Sequence, residues 1–135
     1  MNARDRKKRK NISTKVSHLI SNNNMLIASS ISDNGLYYSE DNGKTWKFSY
    51  ITSGNFLRLI VTDSTIIAGS GSNKGLYYSE DGGETWKQSN ITSGNFSYLV
   101  IIGSTVFAST DKYLNKETYY STDDGKTWNI SKSIL

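Results

Sequence analysis

The sequence predicts an all-β protein built from three repeated, four-stranded antiparallel units. Three observations predict it. One eight-residue frame, Ser-x-Asp-x-Gly-x-Thr-Trp, occurs three times, at 39–46, 79–86 and 121–128. A short aromatic run precedes each copy: Leu36-Tyr37-Tyr38, Leu76-Tyr77-Tyr78 and Thr118-Tyr119-Tyr120. The composition favours strands and turns, with nine Tyr, frequent Ser and Thr, and no Pro among 135 residues.

Each frame reads as a hairpin turn between two strands, because β-branched and aromatic flanks enclose a centre rich in Asp, Asn and Gly. Asp41, Asp81 and Asp123 are short carboxylates that can accept backbone N–H groups of the turn ahead. Gly43, Gly83 and Gly125 can take φ > 0 without a Cβ penalty. Ser39, Ser79 and Ser121, with Thr45, Thr85 and Thr127, supply hydroxyls for further turn groups. Trp46, Trp86 and Trp128 open the next strand and carry large apolar area into the space between sheets.

The frame resembles the Asp box, or bacterial neuraminidase repeat, Ser/Thr-x-Asp-x-Gly-x-x-Trp. Proteins that carry it are β-propellers: sialidases, sortilin-like receptors, xyloglucan-active glycosidases and the photosystem II stability and assembly factors. The resemblance implies a box on the turn between the third and fourth strands of each blade, in a structural role away from any catalytic centre.

The spacing of the frames, about 40 residues, suits a propeller blade. Matched apolar runs complete each unit. The inner strands are expected at Val16–Ile20, Phe56–Val61 and Phe96–Ile101, and the second strands at Met25–Ala28, Thr65–Ala68 and Thr105–Ala108. The blades are placed at about 12–50, 51–90 and 91–132, forming a segment over 12–135. The third has two extra residues between its second strand and its box, in the loop Thr110–Glu117. Three blades make an open arc, whereas propellers close with about four to eight. The expected partner is therefore a second copy, a homodimer closing a six-bladed ring, or other propeller blades.

Residues 1–11 are expected to form a basic, disordered tail. The first ten carry a charge of +5 against +4 for the whole chain, leaving −1 for 11–135. No aromatic is interleaved there for base stacking, which argues against nucleic acid as the partner. No apolar run follows that could serve as a signal peptide, and none is long enough to span a membrane. The default compartment is cytoplasmic, although similar repeats are often extracellular. The sequons beginning at Asn11, Asn90, Asn95 and Asn129 are read as chance.

The chemistry of sites is sparse. Sialidase chemistry, as the resemblance implies it, needs three arginines on the substrate carboxylate, a Tyr–Glu pair and an Asp acid. Arg58 is the one arginine beyond the tail, and lysine does not reproduce bidentate guanidinium binding. Without cysteine and with His18 alone, neither a thiolate nor a two-histidine metal site is expected. His18 is expected to point into the central channel or core. No catalytic residue, cofactor or metal is assigned. The expected function is non-catalytic: a binding or scaffold module for protein or glycan. The alternative is a fragment or remnant of a sialidase-like glycoside hydrolase without a complete active site. A possible ligand rim is placed at Tyr37, Tyr77, Tyr119, Asn55 and Asn95. It takes in the matched Ile-Thr-Ser-Gly-Asn loops at 51–55 and 91–95.

Overall fold

A computed structural model describes residues 8–9 (backbone only), 16–30, 35–110 and 117–131. The rest of the tail and the residues up to 15, the segment 31–34, the core of the long loop at 111–116 and residues 132–135 lie outside the described residues.

Three antiparallel sheets follow one another along the chain. The first holds β2 (Val16–Asn22), β3 (Met25–Ser30), β4 (Leu36–Ser39) and β5 (Trp46–Phe48). The second holds β6 (Phe56–Val61), β7 (Ile66–Ser70), β8 (Leu76–Ser79) and β9 (Lys87–Gln88). The third holds β10 (Phe96–Ile102), β11 (Thr105–Thr110), β12 (Thr118–Ser121) and β13 (Asn129–Ile130). In each, strands pair in chain order from the inside outward, the meander of a propeller blade. No helix among the described residues is long and apolar enough to cross a membrane.

The tail contributes one short element among the described residues. Lys8 and Arg9, assigned to a disordered tail, form a short strand, β1, that pairs antiparallel with β5 opposite Lys47 and Trp46. The first blade thus has five strands where four were expected. The physical reason is the free outer edge of β5, whose unpaired backbone groups accept a further strand. A charged run can fill that place, because backbone pairing at an edge needs no apolar side chain.

The registers of the three blades coincide. Leu19, Leu59 and Leu99 stand opposite Ala28, Ala68 and Ala108, and the next pairs are Ile20–Ile27, Ile60–Ile67 and Val100–Phe107. Each inner strand carries a bulge near its start. Alternation along the strands then gives every blade a front face, toward the preceding blade, and a rear face, toward the following one.

The core lies between blades. At the first junction Ile27 and Leu36, on the rear of blade one, meet Phe56, Leu59, Ile66 and Ala68 on the front of blade two. At the second junction Ile67 and Leu76 meet Phe96, Leu99, Val106, Ala108 and Trp128. Both junctions seat a knob in a hole. A Cβ on Gly83 would lie 2.6 Å from Ile27, and one on Gly125 would lie 2.4 Å from Ile67. The box glycine is needed twice over, for its positive φ and for the space its neighbour's isoleucine fills.

Candidate functional site

The boxes fold as their residues dictate. In the first, Asp41 accepts hydrogen bonds from the Thr45 amide (2.8 Å), the Thr45 hydroxyl (2.6 Å) and the Ser39 hydroxyl (2.9 Å). Ser39 in turn accepts the Gly43 amide at 2.9 Å. The second box repeats this with Asp81, Thr85, Ser79 and Gly83. The third repeats it with Asp123, Thr127, Ser121 and Gly125. Trp86 and Trp128 add a bond from indole N–H to the carbonyl of the box glycine.

These bonds favour the ionised carboxylate. The Thr45 hydroxyl and amide, chiefly, hold Asp41 down at about 2. Partial burial pushes Asp81 and Asp123 the other way, yet their Thr and Ser donors leave both below the usual carboxylate range. The three aspartates are thus fixed anions that close turns.

The residues placed on a ligand rim have separate fates. Tyr37 is buried on the front face of the first blade, its ring 5.1 Å from Phe48. Tyr77 packs edge-on against Phe56 at 5.8 Å, and burial raises its hydroxyl pKa. Asn55 and Asn95 tie loops together: Asn55 accepts the Ser72 hydroxyl, and Asn95 accepts the Asn73 amide at 2.6 Å. Tyr119 alone of the five combines ring packing within its own blade, 5.7 Å from Phe96, with a place on an open concavity.

That concavity, about 260 Å³, lies between blades two and three on the rim opposite the boxes. Asn73, Ser93, Gly94, Phe96, Thr110, Glu117 and Tyr119 line it. The Tyr119 hydroxyl donates a very short hydrogen bond to Glu117, which, with partial burial, pushes the phenol up to about 12. The Thr110 hydroxyl accepts the Glu117 amide at 2.9 Å and fixes the backbone of that pair. In the sequence Glu117 falls in a long loop, and no short-range signal joins it to Ser93 or Asn73 across the blade boundary.

A second concavity of about 360 Å³ lies on the box rim, lined by Asn22, Asn23, Asp63, Thr65, Glu80 and Asp81 among others. Glu80 there is paired with both Lys87 and Lys126, each at 3.1 Å. Among the described residues no group of three His, Cys, Asp or Glu side chains is arranged to hold a metal ion. His18 is half-buried on the inner strand β2, its pKa lowered by burial and then by Arg58 of β6.

The BNR/Asp-box repeat model matches residues 37–48, 77–88 and 119–129. No curated protein matches the chain. Among solved structures, the crystal structure of the GH74 xyloglucanase from Xanthomonas campestris aligns at 15% identity with a TM-score of 0.45. The alignment covers 90% of this chain and 30% of that one, so the chain spans less than a third of that protein's length. Each of the three repeat matches covers the third strand, the box and the opening of the fourth strand in a separate sheet; the chain carries three BNR/Asp-box repeats, folded as propeller blades.

Proposed function

We propose that the chain is a non-catalytic propeller module that binds protein or glycan on its loop rim and associates with further blades, a second copy of itself among them. The observation that carries this reading is how its carboxylates are used. Asp41, Asp81 and Asp123 close turns, and Glu40 and Glu80 sit in surface ion pairs. Glu117 is the carboxylate beside the loop-rim concavity, and its partner there is a phenol.

A Tyr–Glu pair is one element of sialidase chemistry, but here no arginine stands beside it among the described residues that line the concavity. A carboxylate at this place repels an anionic sugar and receives hydroxyl or ammonium donors. The volume suits one sugar ring or one side chain. Phe96 and Tyr119 supply an aromatic wall, and Ser93 and Asn73 polar groups.

The test is a titration of isotope-labelled protein with neutral oligosaccharides and lysine-containing peptides, followed by amide shifts. Saturable shifts are expected at Ser93, Gly94, Thr110 and Tyr119, with Glu117→Gln weakening binding about tenfold, the loss of one charge-assisted hydrogen bond. Release of a cleaved sugar would contradict the non-catalytic reading. Shifts confined to the box rim would contradict the site.

A further inference from the structure

The chain makes the same junction twice and leaves the two halves of a third. Leu59 and Leu99, on the front faces of blades two and three, are 7% and 3% exposed; the matching Leu19 on blade one is 57% exposed. On the rear faces Ile20 and Ile60 pack into the two junction cores, whereas the matching Val100 is 51% exposed and Ile102 is 65% exposed. The knob and hole are split in the same way. Phe107 occupies the register position of Ile27 and Ile67 on blade three. A Cβ on Gly43, the hole on blade one, would meet, among the described residues, only Leu26 and Trp46 of its own sheet within 4 Å, the nearer at 3.4 Å.

The two halves also carry a matched polar latch. At the second junction the Thr65 hydroxyl donates to the backbone carbonyl of Asp124 at 2.6 Å, and the Ser64 hydroxyl donates to the Asp124 carboxylate. Blade three repeats Ser64-Thr65 as Ser104-Thr105, at the same turn. Blade one holds Asn42 at the box position of Asp124, with the same left-handed backbone, φ 63° against 60°. Its amide oxygen can accept the serine hydroxyl as the carboxylate does. The first junction lacks this latch, with Asn24-Met25 at the turn and Gly82 in the box. The halves at the ends of the arc therefore match each other in the manner of the second junction.

We propose that the rear face of blade three docks on the front face of blade one of a second copy, by Phe107 on Gly43 and by Ser104 and Thr105 on Asn42. Under a twofold axis both end pairs are satisfied at once, because a residue that contacts its mate in one direction is contacted by it in the other. Two arcs then close six blades, within the usual range. Thr118 stands where Leu36 and Leu76 fill the internal junctions, so this third junction is less apolar than the other two. That suits a contact between separable copies. The inference rests on the reading of the chain as an associating blade module, and it names the partner and the contact.

The test is solution mass by light scattering after size exclusion, over rising concentration. The chain as it stands is expected at twice the mass of one chain. Leu19→Glu and Val100→Lys, both at exposed positions, are each expected to leave single chains with an unchanged far-ultraviolet spectrum. Leu19 and Val100 are the register equivalents of residues that share one apolar core at each internal junction, Leu59 with Ile20 at the first and Leu99 with Ile60 at the second. The double variant therefore places opposite charges together at both junctions and is expected to recover the dimer. A single-chain mass for the unaltered protein, open polymers, or dimers indifferent to both single substitutions would overturn the proposal. A monomer that still takes up ligand on the loop rim would remove the junction and leave the binding reading standing. A dimer that cleaves glycan would do the reverse.

Discussion

The two internal junctions share one apolar design and differ in their polar fastening. Both seat an isoleucine on a box glycine, and both tie the loop rim with paired backbone bonds. Gly35 and Leu36 donate to Gly54 and Ile51 at the first, and Gly75 and Leu76 donate to Gly94 and Ile91 at the second. The box rim is different. At the second junction Asn90 donates to the Trp128 carbonyl at 2.9 Å and accepts the Trp128 amide at 2.8 Å. Thr65 bonds Asp124, and Lys126 reaches Glu80 across the boundary. At the first junction Tyr50, 68% exposed, stands at the position of Asn90. Glu84 stands at the position of Lys126, and its charge acts on Tyr38 together with that of Glu40. Apolar packing and the loop-rim backbone bonds thus align both pairs of blades, and the polar contacts at the box rim are what the second junction adds.

The largest expected effect strikes what the junctions share. A carboxylate whose folded pKa is depressed contributes stability that is complete above its unfolded value and lost as pH falls through its folded value. The contribution of Asp41, at about 2, and of the lowered Asp81 and Asp123 is therefore complete above the ordinary carboxylate value of about 4, while His18, whose pKa is lowered, withdraws a smaller part of the stability as pH falls below the usual histidine range. Below the carboxylate value, circular dichroism should show cooperative loss toward pH 2, where Asp41 itself titrates. Next come the box glycines. Gly83→Ala and Gly125→Ala combine a left-handed backbone with a collision on isoleucine. Each should cost about 3 kcal/mol in urea unfolding. Gly43→Ala has the backbone term without that collision and should cost about 1 kcal/mol in the single chain.

Smaller effects separate the junctions. Asn90→Ala strips two bonds from the Trp128 backbone and should cost about 2 kcal/mol. Glu84→Lys copies the Glu80–Lys126 pair onto the first junction and should stabilise it by about 0.5 kcal/mol. That gain should fade in concentrated salt.

The blades were legible in the sequence because their chemistry is local. Within each box the Asp, Gly, Thr and Trp that close the hairpin lie inside eight residues. Alternation correctly sent the paired tyrosines to opposite faces, but it could not say which face a neighbouring blade would cover. Tyr77 looks outward to a reader of the chain, and Phe56, from the inner strand, covers it. The latches were illegible for the same reason: Asn90 and Trp128 are 38 positions apart, and Thr65 and Asp124 are 59 apart. The concavity at Glu117 and Tyr119 depends on loops from two blades meeting. The pairing of Lys8–Arg9 with β5 was hidden by charge, since an edge strand needs no apolar alternation.

Native-state hydrogen exchange measures whether polar contacts on the box rim set the firmness of an otherwise repeated junction. The Leu19→Glu variant is the protein to use, so that no second copy covers an end. Amides of β12 and β13, fastened through Asn90 and Asp124, are expected to open at higher free energy than those of β8 and β9. Asn90→Ala is expected to remove the difference. Equal protection of the two hairpins before that substitution, or a difference that survives it, would contradict that role of the rim contacts.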